Sequence, residues 1–311
     1  MRALVVTNMY PTPARPALGS FVADQVAALR RSGEAEVEVW PFEPGGAGAY
    51  VRAARRLRTQ LAAAGGPPFD VVHAHFGLTL WPALAAPARA RVVTLHGTDL
   101  AHPRSRAITL AGLRLNDLVA AVSEPLAATI PRWAAPGKPS VLPCGVALDR
   151  FRRIDRADAR RALGLRPEGP YLLFPADPAR AEKRFDRARA VAGDASLLTL
   201  VGVEPERVPL WVNAANAVLV PSEREGYGLA VLEALACDVP VLATPVGVHP
   251  EVLRGLAGAL CAAFDADAWR AALAPHLSAG DPRIDGRARA EPHSTDAMAQ
   301  RVLAAWRDLL R

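Results

Sequence analysis

Short apolar runs rich in β-branched residues alternate with helical patterns along nearly the whole chain, and this alternation limits the fold more than any other feature. Turn residues bound each run, which is typical of strands buried on both faces of a parallel sheet. Such alternation predicts an α/β fold with parallel sheets. Two successive series of strands are predicted, near 2–7, 36–41, 70–74, 91–95, 117–122 and 139–143, and then near 171–174, 197–201, 217–220, 239–243 and 258–261.

The two series predict two doubly wound, Rossmann-like domains, over 1–150 and 151–294. Pro167-Glu-Gly-Pro170 has the composition of a linker. We expect the last helical pattern, 295–311, to pack back onto the N-terminal domain. One helix face in that domain is formed by Phe21, Val22, Gln25, Val26 and Leu29.

Composition limits the class of protein. Hydrophobic residues make up 51% of the 311 residues, but no apolar stretch reaches the roughly 18 residues of a membrane span. The first apolar run is too short for a signal peptide, so we expect a cytoplasmic protein. Cys144, Cys237 and Cys261 are odd in number and widely spaced, which disfavours disulfides and a cysteine metal site.

The formal net charge of +6 comes largely from arginine in helical segments, as at Arg52, Arg55, Arg56 and Arg58. The favoured interpretation is solvated helix faces in an Ala/Arg-rich chain. Peripheral contact with the inner face of a membrane is the alternative, since basic surfaces attract anionic lipid. Aromatic residues make up only 6% of the chain and do not interleave with the charges, so no nucleic-acid partner is expected.

Because ligands of doubly wound sheets bind beyond the carboxyl ends of the strands, the residues after each strand are the candidates for chemistry, in a cleft between the two facing domains. After the strand at 217–220, a polar loop with Glu225, Gly226 and Gly228 leads into a helix that carries Glu233. A helix N-terminus offers free N–H groups to a diphosphate, and the glycines let the backbone approach it. The carboxylates can accept hydrogen bonds from sugar and ribose hydroxyls. Without further context, two solvated glutamates explain the pattern equally well.

The loop and its helix, Glu225-Gly-Tyr-Gly-Leu-Ala-Val-Leu-Glu233, resemble the E-x7-E region of glycosyltransferase family 4. Further segments resemble the family in the same order along essentially the whole chain: Val5-Val-Thr-Asn-Met-Tyr-Pro11, Gly19-Ser-Phe-Val22, Asp70-Val-Val-His-Ala-His75, Val93-Thr-Leu-His-Gly-Thr-Asp99, Ala121-Val-Ser-Glu124, Val141-Leu-Pro-Cys-Gly-Val-Ala-Leu-Asp-Arg-Phe151 and Cys237-Asp-Val-Pro-Val-Leu-Ala-Thr-Pro-Val-Gly247. The resemblance implies a GT-B fold, in which two Rossmann-like domains face each other across a cleft.

The resemblance also implies roles for individual residues. Glu225 matches the glutamate at the donor sugar hydroxyls, and Glu233 matches the one that holds the ribose. Backbone groups of Gly226, Tyr227, Gly228 and Leu229 are expected to bind the sugar and the diphosphate. Gly19 is expected to bring its loop close to the phosphate, and His96 to lie beside the reacting sugar.

Positive charge is needed opposite the leaving diphosphate, because negative charge builds there as the bond breaks. Lys183 matches the family lysine, and Arg180 is expected to replace the family arginine, which is absent from its usual place. No metal and no cofactor beyond the nucleotide-sugar donor are expected. His73 and His75 lack further ligands at suitable spacing, so His73 is expected to be packed and His75 to face the cleft.

The predicted activity is that of a retaining hexosyltransferase, with a UDP-sugar as the favoured donor and a GDP-sugar as the alternative. The acceptor is a hydroxyl of an unknown sugar, lipid-linked or small molecule, and the compact C-terminal domain resembles that of some enzymes of bacterial surface-polysaccharide assembly. Two alternatives stay open: a catalytically silent sugar-nucleotide-binding partner of another transferase, and a sugar-nucleotide epimerase. The epimerase needs a larger set of acids and bases than this sequence offers.

Overall fold

The computed structural model describes all 311 residues and contains two compact units. The first unit comprises Met1–Gly145 and Thr295–Arg311, and the second comprises Val146–Ser294. Each unit holds one parallel β-sheet with helices on its faces. The predicted α/β class, with two Rossmann-like domains, is therefore confirmed.

Every predicted strand is present, and in most strands at least one end differs from the predicted end by one to three residues. The first sheet has the order β2-β1-β3-β4-β5-β6, with strands β1 (Arg2–Thr7), β2 (Glu36–Pro41), β3 (Phe69–His75), β4 (Ala88–Leu95), β5 (Leu118–Ala121) and β6 (Ser140–Val141). The second has the order β11-β10-β9-β7-β8, with strands β7 (Tyr171–Phe174), β8 (Ser196–Thr199), β9 (Ala217–Val220), β10 (Val241–Ala243) and β11 (Leu260–Cys261).

The helices connect these strands in sequence. Those of the first unit are α1 (Ser20–Arg31), α2 (Ala47–Ala64), α3 (Leu80–Ala83), α4 (Thr98–Ala101), α5 (Pro103–Gly112), α6 (Glu124–Ala127) and the last helix of the chain, α14 (Thr295–Leu310). Those of the second unit are α7 (Arg156–Ala162), α8 (Phe185–Ala192), α9 (Val208–Ala214), α10 (Leu229–Ala236), α11 (His249–Leu253), α12 (Ala266–Ser278) and α13 (Arg287–Ala290).

The apolar face of α1 is buried against the first sheet together with α14. Val22 and Val26 of α1 and Met298 and Trp306 of α14 share one hydrophobic cluster with strand residues such as Val92. Trp306 is fully buried. The last helix of the chain therefore completes the core of the first unit.

In the second unit, α8 and α12 cover one face of the sheet, where Trp269 and Leu273 are fully buried among strand residues. The predicted linker at 167–170 lies inside this unit, so that interpretation is wrong. Helix α7 fixes the segment, because the Arg160 guanidinium donates to the Pro167 carbonyl and stacks on the Tyr171 ring. The chain passes from the first unit to the second at Gly145, before α7 begins.

Candidate active site

The second sheet has its topological switch between β7 and β9, which are neighbours although β8 lies between them in the chain. The chain leaves the two strands in opposite directions, which opens a crevice at their carboxyl ends. Lys183 ends the short 3₁₀ turn Ala181–Lys183 after β7, and Glu225 lies in the loop after β9. The fold therefore brings together two predicted site residues that are far apart in sequence.

Lys183 and Glu225 form a close ion pair. The lysine Nζ donates to both carboxylate oxygens, at 2.7 Å to Oε1 and 2.6 Å to Oε2. The Ser222 hydroxyl donates to Oε1 at 2.7 Å. Only 15% of the lysine side chain and 10% of the glutamate side chain are exposed, so water screens the pair weakly.

Neighbouring loops hold the backbone around Glu225. The Thr244 hydroxyl donates to the Ser222 carbonyl, and the Val248 amide donates to the Tyr227 carbonyl at 2.8 Å. The Tyr227 hydroxyl lies 2.7 Å from His293 Nδ1, so this buried ring faces the interior. Only the backbone of Tyr227 is therefore available for the predicted contact with the sugar-nucleotide. Glu225 lies in a loop that hydrogen bonds hold in place.

The helix that follows this loop starts without a side-chain cap. Gly228 is its N-cap residue, with φ of +110°, and no side chain accepts a hydrogen bond from the first turn. The first-turn N–H groups of α10, starting at half-buried Leu229, therefore present the positive end of the helix dipole. Gly226 and Glu233 are also half-buried, and Glu233 is on the second turn of the helix.

His249 lies against this helix start, a position that the sequence did not identify as functional. Its Nδ1 donates to the Thr244 carbonyl at 2.9 Å, whereas its buried Nε2 has no hydrogen-bond partner. A Cβ on Gly228 would lie 2.5 Å from that Nε2, so only glycine fits there. Burial lowers the pKa of His249, which favours the neutral ring.

Arg180 follows the same strand as Lys183 but has a different partner. Its guanidinium donates to Glu182 Oε1, from Nη2 at 2.7 Å and from Nε at 3.0 Å. About half of its side chain is exposed. The structure therefore does not bring Arg180 into contact with the Lys183–Glu225 pair, and its role opposite a diphosphate stays a prediction.

In the first unit, His96 follows β4 and its backbone is fixed by Asp99. The Asp99 carboxylate accepts from the amides of Gly77, His96 and Gly97, at 3.1, 3.0 and 2.7 Å. Burial raises the pKa of Asp99, although these three amides act in the opposite direction. The half-buried His96 ring packs beside Phe21, with 4.9 Å between ring centroids.

Two further histidines lie behind His96, both on β3. His73 and His75 are fully buried, and their rings stack with 4.5 Å between centroids. His75 Nδ1 lies 3.1 Å from His96 Nε2, and His75 Nε2 lies 3.2 Å from the amide nitrogen of Gln25. His73 is packed as predicted. The expectation that His75 is open to a cleft is wrong, because the strand runs through both histidines and turns them to the same buried face.

Gly19 is the N-cap residue of α1 and has φ of +66°. A Cβ at this position would lie 2.2 Å from the Met9 carbonyl oxygen, so only glycine allows the loop after β1 to approach the helix start. Its predicted contact with a phosphate stays a prediction.

A cavity of about 590 Å³ opens in the first unit at the ends of β1 and β2. Trp40 and Phe42 line one part of it, and Arg52 and Arg56 of α2 line another. Asn8, which also lines the cavity, is 5% exposed, and its Oδ1 has no hydrogen-bond partner. The cavity thus combines aromatic surface and positive charge, which suits a polar ligand.

Sequence reasoning missed Gln25, Ser222 and His249 as parts of these sites. Gln25 carried a signal, since it is the polar residue on an otherwise apolar helix face. Ser222 also carried one, because it lies two residues after the end of a strand. No group of three or more His, Cys, Asp or Glu side chains is placed to hold a metal ion. No helix combines the length and the hydropathy that crossing a bilayer requires.

Comparison with known proteins adds two family models and a set of relatives. A model described as "Glycosyltransferase Family 4" matches residues 4–150, and one described as "Glycosyl transferases group 1" matches residues 174–278. The D-inositol 3-phosphate glycosyltransferase of Actinosynnema mirum is 30% identical, over 78% of this chain and 74% of that protein. The enzyme of the same name from Mycolicibacterium gilvum is 33% identical over 54% of this chain; the match spans about half of that relative, 46%.

Solved structures share the fold at low sequence identity. A sucrose-phosphate synthase from Thermosynechococcus elongatus superposes with a TM-score of 0.78 at 17% identity and covers 99% of both chains. Anabaena HepE, solved in complex with UDP and glucose, gives a TM-score of 0.70 at 13% identity over 98% of this chain and 99% of its own.

Proposed function

The chain belongs to glycosyltransferase family 4, and on this premise we propose that it transfers a hexose from a nucleoside-diphosphate donor to a hydroxyl of an acceptor, with retention of the anomeric configuration. The observation that carries the proposal is the Lys183–Glu225 pair beside the uncapped start of α10, at the topological switch of the second sheet. This arrangement offers a cation, the N–H groups at the start of a helix and a carboxylate to one ligand, which a diphosphate-sugar requires.

In this proposal each group has one task. The Lys183 ammonium and the first N–H groups of α10 balance the charge that develops on the departing diphosphate. Glu225 accepts hydrogen bonds from the donor sugar, and Glu233 from the ribose diol. Because Lys183 is bonded to both Glu225 oxygens, contacts of the donor with either side chain require these bonds to be redistributed.

Uridine is the proposed base, and guanosine is the alternative. Support comes from HepE, which was solved with UDP and with UDP-glucose. A thermal-shift series with UDP, GDP and ADP tests the base, because a ligand that binds only the folded state raises the melting temperature. The largest shift is expected with UDP, and a larger shift with GDP contradicts the assignment.

The proposed acceptor site is the cavity at β1 and β2, and the proposed acceptor is a polyol or sugar with an anionic group. Arg52 and Arg56 are exposed and line the cavity, so they can pair with a phosphate. Relatives named D-inositol 3-phosphate glycosyltransferase support a phosphorylated acceptor. Assembly of surface polysaccharide or another glycoconjugate is the proposed setting.

Matched arginine variants test the acceptor site. Arg52→Ala and Arg56→Ala are expected to raise the KM for a phosphorylated acceptor by roughly 10-fold or more, since a charged hydrogen bond is worth about 1.5–3 kcal/mol. Arg55→Ala and Arg58→Ala change the same exposed helix outside the cavity lining and are the controls. Equal effects of all four substitutions would exclude the cavity as the acceptor site.

Retention is tested by determining the anomeric configuration of the product by NMR. In the proposed mechanism the departing diphosphate guides the acceptor hydroxyl to the same face of the sugar, and Glu225 positions the donor without attacking it. A product with inverted configuration contradicts this assignment.

A catalytically silent sugar-nucleotide-binding protein is the second candidate. One observation favours it: Arg180 is engaged by Glu182, which leaves Lys183 as the only predicted cation in contact with Glu225. Incubation with UDP-sugars separates the two candidates. Slow release of UDP by hydrolysis indicates a transferase, whereas binding without release indicates the silent protein, and an altered sugar indicates an epimerase.

A further inference from the structure

A continuous polar chain connects α1 to His96 through the interior of the first unit. The Gln25 side-chain amide nitrogen lies 3.2 Å from His75 Nε2, and His75 Nδ1 lies 3.1 Å from His96 Nε2. Gln25 is 7% exposed and His75 is fully buried. Water therefore does not compete for these hydrogen bonds, and the row of hydrogen-bonded side chains ends inside the protein at Gln25.

Burial favours the neutral form of the His73, His75 and His96 rings. Burial lowers the pKa of His75 to about 3, and burial lowers the pKa values of His73 and His96 well below their ordinary value. Electrostatic repulsion from a neighbouring histidine ring is the second cause that lowers the pKa values of His73 and His96. A neutral imidazole carries one N–H and one acceptor nitrogen, so each ring has a definite direction.

Gln25 determines which nitrogen of His75 and of His96 carries the proton. An amide nitrogen only donates, so His75 Nε2 accepts and the proton of His75 is on Nδ1. His75 Nδ1 then donates to His96 Nε2, which leaves the proton of His96 on Nδ1. With the Gln25 amide nitrogen facing His75, no other arrangement of one proton per ring satisfies both contacts.

We propose that Gln25 and His75 are positioning residues that fix His96 in the Nδ1–H tautomer, so that His96 acts as a hydrogen-bond donor to an oxygen of the bound substrate and not as a base. The substrate part rests on the proposed function, because it requires that His96 contacts the reacting sugars. The tautomer part rests on the contacts within the first unit alone.

Packing and backbone contacts hold the His96 ring in the Gln25–His75–His96 series of hydrogen bonds, which we call the relay. Phe21 lies beside it at 4.9 Å between centroids, and the His75 ring stacks on it at 5.3 Å with 30° between the planes. Asp99 accepts from the His96 backbone amide and so fixes the start of the side chain. Phe21 and Gln25 are one helical turn apart on α1, so one helix supplies both the packing and the donor.

The tautomer is measured directly by nitrogen NMR of the whole chain labelled with ¹⁵N-histidine, without substrate. His75→Asn and His96→Asn variants assign the signals. In the wild type, His75 and His96 are both expected to carry the proton on Nδ1, with Nε2 unprotonated. A His96 signal with the proton on Nε2 overturns the proposal, whatever the protein catalyses.

Gln25→Met tests the origin of this direction, because methionine has nearly the same shape but no donor. Mixed His96 tautomers are expected in this variant, with unchanged UDP binding by the second unit and, where transferase activity is present, a several-fold lower kcat. Gln300→Met makes the same change at an exposed position of α14 and is expected to leave the His96 signals unchanged. A single, unchanged His96 tautomer in Gln25→Met overturns the role of Gln25.

Failure of the proposed function gives a different result. A protein without transferase activity, but with His96 protonated on Nδ1 in the wild type and mixed tautomers in Gln25→Met, keeps the relay and loses only its substrate role. The wild-type spectrum decides the question even where Gln25→Met does not fold.

Discussion

Lys183 and Glu225 hold opposite charges in a setting that is mostly closed to water. Each has a strong partner in the other, and Ser222 adds a third contact. Removal of one member leaves the other charge buried without compensation, which costs more than the pair contributes. Stability and activity should therefore respond differently to single and double substitution.

We expect Lys183→Met and Glu225→Gln each to lower the free energy of unfolding of the second unit by about 3–5 kcal/mol. The double variant should recover part of this loss, because no unpaired charge remains. Activity should fall by roughly 10²–10³-fold in all three variants. Urea unfolding and initial rates measure both effects, and a double variant as unstable as the sum of the singles contradicts the prediction.

Two glycines with similar backbone geometry separate steric contact from backbone strain. Gly19 and Gly33 have φ values of +66° and +70°, but only Gly19 has an atom near its virtual Cβ, the Met9 carbonyl oxygen. Gly33→Ala should cost about 1–2 kcal/mol of stability from left-handed backbone strain. Gly19→Ala should cost roughly 1–3 kcal/mol more, since the loop has to move. Equal losses in chemical denaturation would show that the loop adapts freely.

At the scale of elements, α14 is the clearest case of a helix whose role depends on long-range packing. Its Met298, Val302, Leu303 and Trp306 side chains are buried in the core that α1 and the first sheet also form. The helix comes from the end of the chain, after the whole second unit. Its amphipathic pattern predicts a helix but does not select the surface that it covers.

Trp306→Ala should lower the stability of the first unit by about 3–5 kcal/mol, because it leaves a large cavity in a packed core. Trp133→Ala is the control, since that side chain is 64% exposed, and its effect should stay within about 0.5 kcal/mol. UDP affinity, measured by calorimetry, should not change in either variant. Loss of UDP binding in Trp306→Ala alone would show that the nucleotide site depends on the first unit.

At the scale of the whole molecule, the two units differ in their content of buried neutral histidine. His73, His75 and His96 of the first unit have lowered pKa values, as do His249 and His276 of the second, and burial is the main cause in each. Folded-state pKa values below the unfolded value of about 6.5 mean that the unfolded state binds more protons below that pH. This contribution to stability is complete above pH 6.5 and is lost as the pH falls.

Each such histidine removes about 1.4 kcal/mol per pH unit while it stays neutral in the folded state. We therefore expect the first unit to lose up to about 4 kcal/mol per pH unit below pH 6.5, and the second unit to lose less. Hydrogen exchange of β3 and β4 against β9 and β10, in urea at pH 7.5 and 5.5, compares the units. Greater acid sensitivity of the second unit contradicts the prediction.

The sequence by itself determined the elements of this protein and the points where chemistry can occur. Period and turn residues located all the strands, because these signals are local, and the strand-end rule pointed to Glu225 and Lys183. The resemblance to family 4 then specified their expected roles, and the family is confirmed.

Tertiary structure alone decided which side chains meet. Lys183 forms hydrogen bonds with Glu225, 42 residues away, and Gln25 contacts His75, 50 residues away. Helix α14 packs against α1. The fold also placed His249 against Gly228 and Arg180 against Glu182. Sequence periodicity predicts whether a residue is buried or exposed, but not which distant residue it contacts. These contacts depend on strand order and helix packing between segments that are far apart in the sequence.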